Sequence, residues 1–242
     1  MGTNLVERWR EGLRLDKLDK LDTQNQGELT QPTLVLCEGK RDASFVLHLA
    51  EQRGIKGIQT GFPDPGGQFK VTSNAYGKSG FKEYLVDLRA RTGFKNLRHI
   101  VILRDRDGDE TAAFKDVAQQ IAGAGKYGVP TAAEQESEGT PGVIVRLIPD
   151  AATEGNLDVL LLSAIDATHP LNHCFGPYFD CCGLEAIPIG EAAKIKLTTI
   201  VAASCRKNPS ASLTFVWSQV GNPIPLASSK FDDLADFLRR FA

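Results

Sequence analysis

"RHIVILRDRDGDE", Arg98–Glu110, decides the fold. Its core, Ile100–Leu103, is a short apolar run rich in β-branched residues and bounded by charge, the signature of a strand buried on both faces. The run then meets Asp105, Asp107, Asp109 and Glu110, four carboxylates within six positions. A chain that has just built a buried strand needs a reason to crowd acid at its end.

Working outward, the chain alternates strand and helix. "TLVLCE" (33–38) reads as a buried strand, "RDASFVLHLAEQRG" (41–54) as a helix ending at Gly54, and "KGIQTGF" (56–62) as a short strand, a βαβ rhythm. A glycine-rich loop (63–80) leads to an amphipathic helix (81–92), followed by the strand 98–105. A helix (109–125), a turn-rich loop (126–142), a fourth strand "VIVRLIPD" (143–150) and a helix (154–165) complete the series. This order predicts an α/β fold with a mainly parallel four-stranded sheet and helices on both faces. Beyond it, 169–188 reads as loop, 190–207 as a helix, and 228–242 as a serine-capped terminal helix with Phe231, Leu234 and Leu238 facing the core. The organisation expected is therefore an N-terminal extension (1–31), partly helical and built on Leu-Asp-Lys repeats, an α/β core (32–165), and a C-terminal helical elaboration (166–242) packed on that core.

Composition narrows the class without naming a partner. The 242 residues, 42% hydrophobic, suffice for a real core. No apolar run approaches the roughly 20 residues that span a bilayer, and the first residues lack the apolar stretch of a signal peptide, so a soluble cytoplasmic protein with no membrane contact is expected. A net charge of −2 supplies no global attraction to nucleic acid. Five irregularly spaced cysteines read as reduced thiols.

Function is sought where parallel strands end, because their carboxyl ends open on one crevice. "TLVLCE" delivers Glu38, with Asp42 one helical turn on; "HIVILRD" delivers Asp105, with Asp107 two residues later and able to point the same way from an extended backbone. Neighbouring strands lie about 4.8 Å apart, so the two acidic pairs can converge. Crowded carboxylates repel unless a hard cation such as Mg²⁺ or Mn²⁺ sits among them. Glu154 and Asp158, at the start of a helix, are further candidates for the same rim. Lys40, Arg41, Lys78, Arg104 and Arg106 fringe it, an arrangement suited to a phosphate held against a metal.

Other readings fail on spacing. "DRDGDE" opens like a calcium loop, but its sixth position is Glu110 and its twelfth Asp116. Gly77-Lys78-Ser79 lacks the upstream P-loop glycine, replaced by Thr72. His169, His173, Cys174, Cys181 and Cys182 have no paired CxxC spacing for zinc.

"LVLCEGKRD" followed by "VILRDRDGD" resembles the Toprim domain of topoisomerases, bacterial primases and OLD-type (overcoming lysogenization defect) nucleases. The Glu-Gly-Lys-x-Asp form is closest to OLD-like and related stand-alone Toprim-like proteins, and "LIPDAATEGNLDVLLL" (147–162) is similar to the segment after the last strand in an uncharacterised branch of them. The resemblance covers about residues 33–165. It implies a Toprim-like sheet and Mg²⁺- or Mn²⁺-dependent cleavage of a phosphodiester. Glu38 would act as general acid/base or metal ligand, Asp105 and Asp107 would hold metal, and Asp42 would complete a second position; Asp158, from the acidic rim, is a further candidate metal ligand. Lys194 or Lys196 is the positional match to a lysine used in OLD-like sites. Lys40, Arg41, Lys78 and Arg106 would bind phosphate. The partners implied are DNA or RNA and, for OLD-like activity within a defence or repair assembly, an ATPase chain; homo-oligomerisation stays open. A non-catalytic Toprim-like module that binds nucleic acid or a partner is the alternative. Near-neutral charge speaks for that module, and the two acidic pairs speak for the nuclease.

Overall fold

A computed structural model describes residues 27–64, 77–150, 152–184 and 186–242. Most of the expected N-terminal extension (residues 1–26) and most of the glycine-rich loop (65–76) lie outside the described residues. Four parallel strands form one sheet: β1 (Thr33–Leu36), β2 (Ile58–Gly61), β3 (His99–Asp105) and β4 (Gly142–Ile148), in the order β2-β1-β3-β4. The expected α/β architecture with helices on both faces is the one observed. β1 and β3 are neighbours, with Leu36 opposite Ile102, so the chain segments leaving both strands emerge side by side.

Alternation along each strand divides the core in two. Leu34, Leu36, Ile100, Ile102, Val143 and Val145 pack under α2 (Phe81–Leu88) and α3 (Glu110–Ala124). Val35, Val101, Leu103 and Ile144 face the other way, toward α1 (Lys40–Arg53), α4 (Leu157–Ser163), α5 (Phe175–Cys182), α6 (Ile189–Ser204) and α7 (Asp232–Arg239). Each fully buried Leu, Ile or Phe side chain stabilises by roughly 1.5–3 kcal/mol. The C-terminal helices share the second layer directly: Leu197, Ile200, Phe231, Leu234 and Leu238 belong to the same apolar cluster as Val35 and Phe45.

Helix ends follow local chemistry. α1 stops at Gly54, which takes the left-handed conformation (φ 64°), and Asp109 caps α3 by accepting from the Ala112 N–H at 2.9 Å. One expectation is corrected. The stretch 169–188 is not loop throughout but holds a 3₁₀ turn (Pro170–His173) and α5. Gly176 and Pro177 suggest a break, yet both fall in the first turn of α5, where a missing N–H costs nothing. Among the described residues no helix is long and apolar enough to cross a membrane.

Candidate functional site

Three carboxylates meet where β1 and β3 end. Glu38 stands two residues past β1 and Asp105 is the last residue of β3. The Asp105 N–H donates to Glu38 Oε1 at 2.8 Å, and the Leu157 N–H, in the first turn of α4, donates to Asp105 Oδ1 at 2.9 Å. Asp42 curls back over the start of α1, and its Oδ2 accepts from the Gly39 N–H at 3.0 Å. Its Oδ1 is buried without a hydrogen bond, the nearest cation being Arg41 Nε at 3.5 Å.

The electrostatics follow from that crowding. Burial pushes the Asp42 carboxyl up to about 6, with the Glu38 charge adding to the rise and Arg41 opposing it. Burial also drives Asp105 well above the usual carboxylate range, and the charges of Glu38 and Asp42 push the same way. The Cys37 thiol, buried among Asp42, Glu38 and Asp105, is raised by burial first and by those three charges next. Burial is thus the first cause of all three rises, and at Asp42 the Arg41 charge outweighs that of Glu38.

Arg104 is the central cation, and only 4% of it is exposed. Its Nη1 donates to Glu38 Oε1 at 2.6 Å and to the Asp105 carbonyl at 2.7 Å, while Nη1 and Nη2 both reach Asp107 Oδ2 at 3.3 Å. The sequence reading placed Arg104 only on the fringe. The available signal was a charged residue inside the apolar strand "HIVILRD", since a buried guanidinium demands buried acceptors.

Asp107 does not continue the extended backbone of β3, which corrects the expectation that it points the same way as Asp105. It takes φ 52°, a left-handed conformation that Asp tolerates, and its carbonyl accepts from the Gly155 N–H at 3.1 Å. Gly155 itself has φ 127°, and a Cβ there would come within 2.5 Å of Val159, so glycine is required. The turn sends the Asp107 carboxylate to Arg104 and to Lys78 Nζ at 3.4 Å. Beside it opens a cleft of about 240 Å³ lined by Asp107, Glu154, Gly155, Asn156, Gly190 and Glu191.

The remaining expected site residues divide. Lys40 is the first residue of α1, half-buried beside Gly39. Arg41 Nη1 grips both oxygens of Asp158, at 2.9 and 3.1 Å; Asp158 is 1% exposed, so these two satisfy each other and tie α1 to α4. Burial raises the Asp158 carboxyl while Arg41, and more weakly Lys194 on α6, pull it down. Arg106 is held by the Asp150 carbonyl at 2.8 Å and by Glu110 at 3.0 Å. Lys196 lies over the rings of Phe179 and Phe175, 5.3 and 5.9 Å from their centres. The structure thus gathers Glu38, Asp42, Asp105, Arg104, Asp107 and Lys78, and sends Lys196 to the aromatic face of α5.

Among the described residues no three His, Cys, Asp or Glu side chains are disposed to cage an ion. The zinc reading of Cys174, Cys181 and Cys182 fails on geometry as well, because α5 separates Cys174 from Cys181 by two turns, about 10 Å. The donor chemistry at Asp42 and Asp105 nevertheless fits Mg²⁺ or Mn²⁺. Mg²⁺ usually keeps several waters and needs one or two carboxylates with substrate oxygens, rather than an all-protein cage. Asp42 Oδ1, which makes no hydrogen bond, and the Asp105 carboxylate are oxygens of that kind.

No curated protein and no solved structure matches this chain. The model of a family described as "Protein of unknown function (DUF3226)" matches residues 32–242, from the start of β1 through α7, and the chain belongs to that family.

Proposed function

We propose that the protein is a Toprim-like, Mg²⁺- or Mn²⁺-dependent nuclease that cleaves phosphodiester bonds in DNA or RNA. The observation that carries this reading is the gathering of Glu38, Asp42 and Asp105, half-buried and buried carboxylates, at adjacent strand ends. Asp42 and Asp105 would hold the ion, with Glu38 beside them. When bound there, a divalent cation would polarise the phosphate and lower the pKa of an attacking water.

The chain's own residues supply the rest. Glu38 Oε1 is committed to two donors, which fixes the carboxylate and leaves Oε2 to ligate or to take a proton from the nucleophile. The Leu157 N–H fixes Asp105 in the same way. Lys78, more than half exposed and paired with Asp107 across solvent, exchanges that weak contact for a substrate phosphate. Lys40, at the amino end of α1, adds positive charge on the same side. The free thiols suit a reducing cytoplasm.

The test is incubation of the full chain with supercoiled DNA, single-stranded DNA and structured RNA in Mn²⁺. Cleavage is expected to vanish in EDTA and in Asp105→Ala; cleavage that survives Asp105→Ala refutes this site. Retention of nucleic acid and of Mn²⁺ with no substrate cut would instead identify a non-catalytic binding module.

A further inference from the structure

Arg104 does what a bound cation does. Its buried guanidinium bridges Glu38, which follows β1, to Asp107, which follows β3, and through the Asp105 carbonyl it also holds the end of β3. It cannot lose its charge. A pair of ions in a two-metal site lies roughly 3.5–4 Å apart, so one carboxylate usually serves both. Here Glu38 Oε1, the oxygen nearest Asp105, is already taken by Arg104 at 2.6 Å and by a backbone N–H. An ion placed between Glu38 and Asp107 would meet a fixed positive charge where it needs lone pairs. The carboxylate oxygen left without a hydrogen bond is Asp42 Oδ1, 3.5 Å from Arg41 Nε, and Asp105, at the end of β3, makes no bond to Arg104 through its side chain, only through its carbonyl.

We propose that the Arg104 guanidinium stands permanently in place of one of two cations, so that the centre takes a single divalent ion on the Asp42–Asp105 side. This rests on the metal reading above and deepens it. Asp107 then serves as an anchor for Arg104 and not as a ligand, which makes Arg104 a positioning residue whose loss changes how many ions bind.

Mn²⁺ titrated into the EDTA-stripped full chain, with free Mn²⁺ followed by electron paramagnetic resonance, reads the count directly. One ion per chain is expected in the wild type, one in Arg104→Lys, which keeps the charge, and two in Arg104→Gln. Asp107→Asn should keep the single ion and Asp105→Asn should lose it. Two ions in the wild type overturn the inference and leave the metal reading standing, and this count does not depend on any variant folding. One ion in a folded Arg104→Gln with unchanged affinity also overturns it. No ion in the wild type removes the metal reading itself.

Discussion

Arg104 and Arg146 sit on adjacent strands, each 4% exposed, and each holds two carboxylates, yet they serve different ends. Arg146 on β4 pairs with Glu134, from the loop beside the sheet, and with Asp233 on α7, and lies over the Phe237 ring at 5.3 Å. Its partners reach solvent, and it fastens the terminal helix to the sheet. Arg104 also pairs with two carboxylates, but its surroundings hold Asp42 and Asp105 in addition, whose charge it does not cancel. A buried arginine matched to its partners is a fastener. One set beside further buried carboxylates is where the proposed ion would sit.

That contrast breaks most sharply at Asp105. Asp105→Asn is expected to lose roughly 100-fold or more in both Mn²⁺ affinity and cleavage while folding normally. Loss of fold instead, read by circular dichroism, would make the Asp105 side a fastener like the Arg146 side. On the other side of the comparison, Glu134→Gln combined with Asp233→Asn strands a buried guanidinium and should cost about 3 kcal/mol in urea unfolding, with Mn²⁺ affinity unchanged. An altered Mn²⁺ affinity in that double variant would show the two arginines to be coupled.

The pH response separates the regions further. Asp42 binds its proton more tightly in the folded chain than its ordinary value of 3.8 allows, at about 6. Its favourable contribution is therefore complete below about pH 4 and is lost as pH rises through about 6. Asp105 has the same sign. Metal-free protein should lose up to about 3 kcal/mol over that window. Asp42→Asn should flatten the profile, added Mn²⁺ should restore stability above pH 6, and Mn²⁺ affinity should fall below pH 6 as protons compete. An unchanged profile in Asp42→Asn would contradict the burial that raises this carboxyl. The smallest effects belong to contacts away from both arginines: Lys196→Ala should cost about 0.5–1 kcal/mol through its cation–π contacts and leave Mn²⁺ binding alone, whereas a loss of cleavage with intact fold would return Lys196 to the catalytic site.

Much of the fold was legible because hydrophobic period is local. Ile100–Leu103 and Val143–Leu147 announce buried strands by composition, and the terminal helix is announced by Phe231, Leu234 and Leu238. Glu38 and Asp105 were legible as acids at strand ends. What misled were punctuation residues, Gly176 and Pro177, whose effect depends on where in a helix they fall.

The site's wiring was not legible in the same way. Arg41 and Asp158 are 117 residues apart, and Glu38 and Arg104 are 66 apart; no spacing rule links either pair. Each charge had several possible partners in the sequence, and burial of the sheet and helices selected among them.

By itself the sequence determined four strands, their covering helices and the presence of acid where two strands end, since side-chain periodicity and capping act over a few residues. Only the tertiary structure decided that β1 lies beside β3, that Asp107 turns away through a left-handed residue toward Arg104, and that Asp42 and Asp105 are buried beside Glu38. The physical reason is range. Backbone preference and apolar pattern are local, whereas charge compensation in a buried corner is settled by which distant segments the core brings together.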